Sequence, residues 1–256
     1  MPTTTAVILA AGQGKRMQSA LPKVLHKVNH RPMLEYALEA AYTATCTKPV
    51  IVVGHQAELV IQHIGERAYF VYQEQQWGTG HAVQQAEKLL KTQSEYVLVL
   101  SGDMPLLTSA TLAKLIQAQQ DHSGPITMLT VISNNPRGFG RVIRDANACV
   151  RAIVEEAIAT PEELLVQELN AGVYCFSSSW LWDALPQIKI SPKGEYYLTD
   201  LVEIAVQNHL SVQALTLSDP MEALGVNTQE HLMEAELQMS TRSSDQNKKA
   251  SIENAY

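Results

Sequence analysis

Short apolar runs alternate with longer stretches of helical periodicity along the first 125 residues of this chain, and few folds accept that alternation. The runs at 7–9, 50–53, 69–72 and 96–100 are mostly β-branched, leucine or aromatic, as strands buried within a sheet are. Between and after them, 33–41, 59–64, 80–91 and 108–122 carry apolar residues at helical spacing. Pro32 suits a first helical turn, and Thr108 or Ser109 supplies a cap for the helix that follows. Strands and helices in strict alternation fold as a largely parallel sheet with right-handed crossovers and helices on both faces. The expected class is α/β, a Rossmann-like doubly wound sheet. From 126 the pattern turns to strands at 126–132, 142–144, 150–154 and 169–176, joined by turn residues and expected as a small β-rich extension. Helices near 178–185 and 198–208, a strand at 211–217 and a last helix from about 228 complete the globule. At 256 residues and 46% hydrophobic, the chain has enough apolar surface for one substantial core.

Open parallel sheets bind ligands beyond the carboxyl ends of their strands, and three unusual segments fall at such ends. The first follows the strand at 7–9. Ala10, Ala11, Gly12 and Gly14 strip side chains from the turn, so that successive amides can converge on an anion, while Lys15, Arg16 and Lys23 surround it with positive charge and Pro22 stiffens the approach. It is not a dinucleotide fingerprint, because Met17 stands at the third glycine position, nor a P-loop, because Gly12 and Gly14 are too close. The second is Gln73 with Trp77, Gly78 and Thr79; Gln73 has the alternative of being simply solvated, and Thr79 that of starting a helix. The third is Ser101, Gly102 and Asp103. Asp103 ends a buried strand, where an acid has no packing reason to stand, and has the alternative of capping the helix near Thr108.

A net charge of −7 argues against a nucleic-acid partner, which requires a basic face, so an anionic substrate must be met by local cations or a metal. Cys46, Cys149 and Cys175 show no paired or metal-ligand spacing and read as buried thiols in a reducing compartment. His26, His55, His63 and His81 have no motif spacing either, and no role is assigned to them. With Met1 close to the first strand and no apolar run long enough to cross a bilayer, the expectation is a cytoplasmic protein with no membrane partner.

The run from Leu9 to Met17, LAAGQGKRM, followed by Pro22 and Lys23, resembles the signature of the sugar-nucleotide pyrophosphorylases. Further pieces in the right order are similar to the N-acetylglucosamine-1-phosphate uridyltransferases in that family: Gln73 with Gly78 and Thr79, GFGR at 138–141, IVE at 153–155, NAG at 170–172, GEYYLTD at 194–200 and GVN at 225–227. Ser101 stands where that family often carries an aromatic, and Ala171 where it often carries threonine. The resemblance spans roughly residues 5–235. Taken singly, Gly138 and Gly140 also suit a hairpin, Glu155 a surface acid and Asn227 a helix cap.

What the resemblance implies is transfer of a uridylyl group from UTP to N-acetylglucosamine 1-phosphate, with Mg2+ as cofactor. Arg16, Lys23 and Asp103 would be catalytic. Leu9, Ala10, Ala11, Gly12, Lys23, Gln73, Gly78, Thr79, Ser101, Gly102 and Asp103 would contact the nucleotide. Gly140, Glu155, Asn170, Tyr197, Thr199 and Asn227 would contact the sugar phosphate, and Asp103 with Asn227 would hold the metal. It divides residues 1–239 into a nucleotide-binding half, 5–125, and a sugar-phosphate-binding half, 126–227. A flexible polar tail is expected over 240–256, without a hexapeptide-repeat acetyltransferase domain or its activity, and with the oligomeric state between monomer and weak homo-oligomer. Two other readings remain at this point: a related nucleotidyltransferase with another sugar phosphate or base, molybdopterin guanylyl transfer included, and a non-catalytic sugar-nucleotide sensor.

Overall fold

The computed structural model describes residues 3–253, apart from the side chains of Lys15 and of residues 243–253. Strand β1 (Thr4–Leu9) is followed by the two-residue strands β2 (Lys27–Val28) and β3 (Arg31–Pro32), which pair only with each other, and by helix α1 (Met33–Thr45). Then come β4 (Val50–Val53), α2 (Ala57–Ile64), β5 (Tyr69–Tyr72), α3 (Thr79–Gln84), α4 (Glu87–Leu90), β6 (Tyr96–Ser101) and α5 (Ser109–Asp121). The second part holds β7 (Ile126–Ile132), β8 (Arg141–Arg144), β9 (Val150–Val154), β10 (Glu168–Ser177), α6 (Ser178–Ala184), α7 (Asp200–Gln207), β11 (Val212–Thr216) and α8 (Gln229–Glu253).

Seven strands run in the order β11, β7, β10, β6, β1, β4, β5. All neighbours are parallel except β10, which is antiparallel to both β6 and β7. Of the strands expected in the β-rich extension, β8 and β9 form a hairpin hung from β10, while β7, β10 and β11 join the main sheet.

Side chains of successive strand residues point to opposite faces, and here both faces are covered. Ala6, Ile8, Ile51, Val53, Leu98 and Leu100 pack on one side with residues of α1, α2 and α5. Val7, Val50, Val52, Val97 and Val99 pack on the other with residues of α3, α6 and α7. Each fully buried aliphatic side chain contributes about 1.5–3 kcal/mol, which makes these central strands the rigid floor of whatever lies at their ends.

Two of the three cysteines expected to be buried, Cys46 and Cys149, are exposed, lying in turns at the ends of elements, while Cys175 is buried within β10. Two segments also differ from the sequence reading. The helix expected over 80–91 breaks between α3 and α4. Gln85 Nε2 takes the His81 carbonyl at 2.9 Å, and the Gln85 and Ala86 amides bond three residues back, to Ala82 and Val83, so the turn tightens. Of the polar tail expected over 240–256, the backbone through Glu253 continues α8; residues 254–256 lie outside the described residues.

Candidate active site

Strand β1 has β4 on one side and β6 on the other, so successive crossovers leave it in opposite directions and a crevice opens at its carboxyl end. Leu9 is paired with Ser101 there, and the Gly102 amide donates to the Leu9 carbonyl at 2.9 Å. A β-carbon on Gly102 would lie 2.9 Å from Leu34 Cδ1, so only glycine lets the two strand ends meet this closely over α1.

The two glycines of the first turn have different physical reasons. Nothing approaches within 4 Å of where a Gly12 β-carbon would be, whereas at Gly14, with φ +59°, it would lie 2.7 Å from Lys23 Cβ. Gly12 leaves room in the cleft; Gly14 lets the Lys23 stem pass behind the turn. The Lys23 ammonium thereby reaches Asp103 Oδ2 and, at 3.0 Å, Asn227 Oδ1. Arg16 donates to the same Asn227 oxygen at 2.9 Å. Asp103 is 6% exposed, and the Val226 amide donates to its backbone carbonyl at 3.0 Å, which ties the 225–227 segment to the end of β6.

Asp103 does not cap the following helix. Thr108 caps α5 with its own hydroxyl, accepting from the Thr111 amide at 3.2 Å, and Glu222, 8% exposed, accepts from the Thr108 amide at 2.9 Å and from both threonine hydroxyls. The carboxylate of Asp103 is left facing Lys23. Among the described residues no group of three His, Cys, Asp or Glu side chains suits a metal ion; the side-chain oxygens that meet here are those of Asp103 and Asn227. The ammonium already lying between those oxygens marks the place as one that attracts positive charge.

A cavity of about 380 Å3 is lined by Leu9, Ala10, Ala11, Gly12, Lys23, Gln73, Gly78, Thr79, Ser101, Asp103, Glu155 and Tyr197, among others. It shares Gly12, Lys23, Gln76 and Glu195 with an adjoining cavity of about 600 Å3 that reaches Arg16 and Asn227. Gly78, at φ +100°, has Tyr196 O 2.6 Å from where its β-carbon would be, so the 195–197 strap presses on the second segment; Thr79 Oγ1 accepts from the Leu198 amide at 2.9 Å. Gln73, 4% exposed, donates through Nε2 to Gly78 O at 2.9 Å and lies 3.1 Å from His81 Nδ1. His81, which no motif spacing marks, is thus in contact with a cavity-lining residue.

Four other residues form a connected group beside Tyr197. Thr199 Oγ1 donates to Glu155 Oε1 at 2.9 Å, and a Gly140 β-carbon would lie 3.8 Å from Glu155 Cδ. The Asn170 amide donates to Gly140 O at 2.9 Å, while Asn170 Nδ2 donates to the buried Tyr174 hydroxyl at 2.7 Å and Oδ1 accepts from the Gly172 amide at 3.1 Å. A lone tyrosine in a strand carries no signal of that role, and nothing in the sequence singled out Tyr174. Gly140, Asn170 and Thr199 stand behind the cavity wall, reached through Glu155.

Burial pushes the Glu155 carboxyl above its ordinary range, against the Thr199 hydroxyl that favours ionisation. Burial, then Glu203 and Glu155, push Asp200 up to about 6. A carboxyl raised on folding is destabilising once ionised, so its cost is absent below about pH 4 and complete above about pH 6. Asp200→Asn is therefore expected to raise the melting temperature at pH 7.5 and to leave it unchanged at pH 4. An equal shift at both pH values would mean that charge is not the cause.

A family model described as the MobA-like NTP transferase domain matches residues 6–200. The chain is 47% identical over 232 residues to the bifunctional protein GlmU of Pelotomaculum thermopropionicum, covering 90% of this chain and 51% of that one. It is 44% identical over 228 residues to the protein of the same name from Enterococcus faecalis, covering 89% and 50%. The chain thus spans about half the length of the curated relatives it matches. A solved structure from Bacillus anthracis, described provisionally as a glucose-1-phosphate thymidylyltransferase, superposes with a TM-score of 0.75 over 92% of this chain and 94% of its own at 19% identity, a likeness of fold.

Proposed function

The chain belongs to the MobA-like NTP transferase family and is a nucleotidyltransferase, and from that premise we propose that it joins UTP to N-acetylglucosamine 1-phosphate, giving UDP-N-acetylglucosamine and pyrophosphate. The observation that carries this reading is the meeting of Arg16, Lys23, Asp103 and Asn227 at the crevice between β1 and β6. Its substrates are those named by the motifs at 73–79, 138–141, 153–155, 170–172 and 194–200. The relatives at 44–47% identity support the same choice.

In this reading an oxygen of the sugar phosphate attacks the α-phosphorus of UTP in line. A phosphorus–oxygen bond forms to it as the bond to the β-phosphate bridging oxygen breaks, and pyrophosphate leaves. The nucleophile is already ionised, so no general base is required. Such transfers depend on positioning and charge neutralisation. Amides of 10–14 and the Arg16 guanidinium hold the leaving pyrophosphate, and Lys23 lies between the two phosphates. Glu155 and Tyr197 orient the sugar, with Thr199, Gly140 and Asn170 behind them, and Gln73, Gly78 and Thr79 face the base. Mg2+ suits an oxygen pair that leaves its other positions to phosphate and water, and held by Asp103 and Asn227 it would offset the charge on the nucleotide. Lys23, whose ammonium donates to both of those oxygens, is placed to reach phosphate oxygens beside them.

The test is release of pyrophosphate by the chain incubated with Mg2+, each of UTP, CTP, GTP and dTTP, and a set of sugar 1-phosphates. The reading expects the fastest release with UTP and N-acetylglucosamine 1-phosphate, and none in EDTA. Fastest release with another pair would transfer the same chemistry to that pair, and no release with any would contradict catalysis.

A further inference from the structure

From the contacts behind the base-facing side chain we infer that His81 is a positioning residue that sets nucleotide selectivity by fixing which end of the Gln73 carboxamide faces the cavity. This rests on the uridylyl reading above. A glutamine side chain presents either a donor or an acceptor, depending on how its amide is turned. Gly78 O can only accept, so it requires the nitrogen end of Gln73 at 2.9 Å. The same nitrogen lies 3.1 Å from His81 Nδ1, so Nδ1 must carry the lone pair and the ring proton must sit on Nε2. The Trp77 ring, tilted at 47° with its centroid 5.1 Å from that of His81, lies against the imidazole. Both amide protons of Gln73 are thereby used within the protein. Its Oε1 has no hydrogen-bond partner among the described residues and is the group Gln73 offers to a ligand in the cavity it lines.

An acceptor at that position matches the N3–H of uracil and opposes the N3 lone pair of cytosine. With His81 gone, Gln73 keeps a single hydrogen bond to Gly78 and its amide turns about that bond, offering a donor as easily as an acceptor. His81 touches Gln73 and Trp77, and its hydrogen bond to Gln73 is the contact that decides which end of the carboxamide faces the cavity.

The experiment compares kcat/KM for UTP and CTP, with N-acetylglucosamine 1-phosphate and Mg2+, in the native chain, His81→Phe and His81→Asn. His81→Phe is expected to lower the UTP-to-CTP ratio about tenfold or more, as the loss of one orienting hydrogen bond allows. His81→Asn, whose side-chain oxygen can accept where Nδ1 did, is expected to keep most of it. A folded His81→Phe that loses rate equally with both nucleotides overturns the inference, because a merely structural histidine would do that. A native chain that uses CTP as readily as UTP overturns the uridylyl reading and the inference together. Nitrogen NMR of the native protein gives a readout that needs no variant: a neutral His81 with its proton on Nε2 is the expected state, and a proton on Nδ1 overturns the inference.

Discussion

Asp103→Asn is expected to abolish metal-dependent turnover and to leave the fold in place. Loss of a single preorganised electrostatic contact removes about 2.7–4 kcal/mol of transition-state stabilisation, a factor of about 10² to 10³ in rate, and a metal ligand lies at the upper end of that range. The fold is expected to survive because the bond holding 225–227 against β6 comes from the Asp103 backbone carbonyl, which the substitution keeps. Lys23 then loses its carboxylate partner but retains Asn227. Pyrophosphate release measured beside circular dichroism checks both halves, and native activity in a folded Asp103→Asn protein would remove this carboxylate from the metal site.

Lys23→Ala is expected to cost at least about a hundredfold in kcat/KM on the same electrostatic grounds. Its ammonium touches both Asp103 and Asn227, and the Gly14 turn is shaped around its stem. Lys23→Arg should not restore the rate, since a planar fork does not replace a compact point charge in a passage this narrow. Steady-state rates with saturating Mg2+ give the comparison; a loss smaller than about tenfold would make Lys23 peripheral.

Much of this architecture is legible in the chain because its strands are short and apolar and its helices periodic. The paired burial of Ile8 and Val7, or of Leu98 and Val99, on opposite faces of the sheet is what uninterrupted apolar runs announce. The place of β10 is not legible, because this ten-residue strand, which lies between β6 and β7 and pairs with each, makes its contacts far away in sequence. The break near Gln85 escapes for a local reason, a side chain taking the carbonyl that its own amide would have used.

At the cleft, the residues that present charge were visible in the sequence through their motifs, and Arg16, Lys23, Asp103 and Asn227 do meet. The groups that hold them in place were not visible. Glu222 relieves Asp103 of capping α5, Tyr174 fixes Asn170, and His81 backs Gln73; a single Glu, Tyr or His has no spacing to mark it. Gly12 and Gly14 also read alike in the sequence, and only their surroundings separate a glycine that leaves space from one that avoids a collision.

The central claim is that one metal ion, held by Asp103 and Asn227, and the amides of the first turn grip the same nucleotide tail. A crystal of the chain grown with UTP and Mn2+ in place of Mg2+ tests it, because the anomalous signal of manganese locates the ion independently of the protein model. A single strong peak bonded to an Asp103 carboxylate oxygen and Asn227 Oδ1 is expected, with the triphosphate over residues 10–14 and Lys23 Nζ on phosphate oxygen. A metal bound elsewhere, or a triphosphate lying away from the first turn, would contradict it.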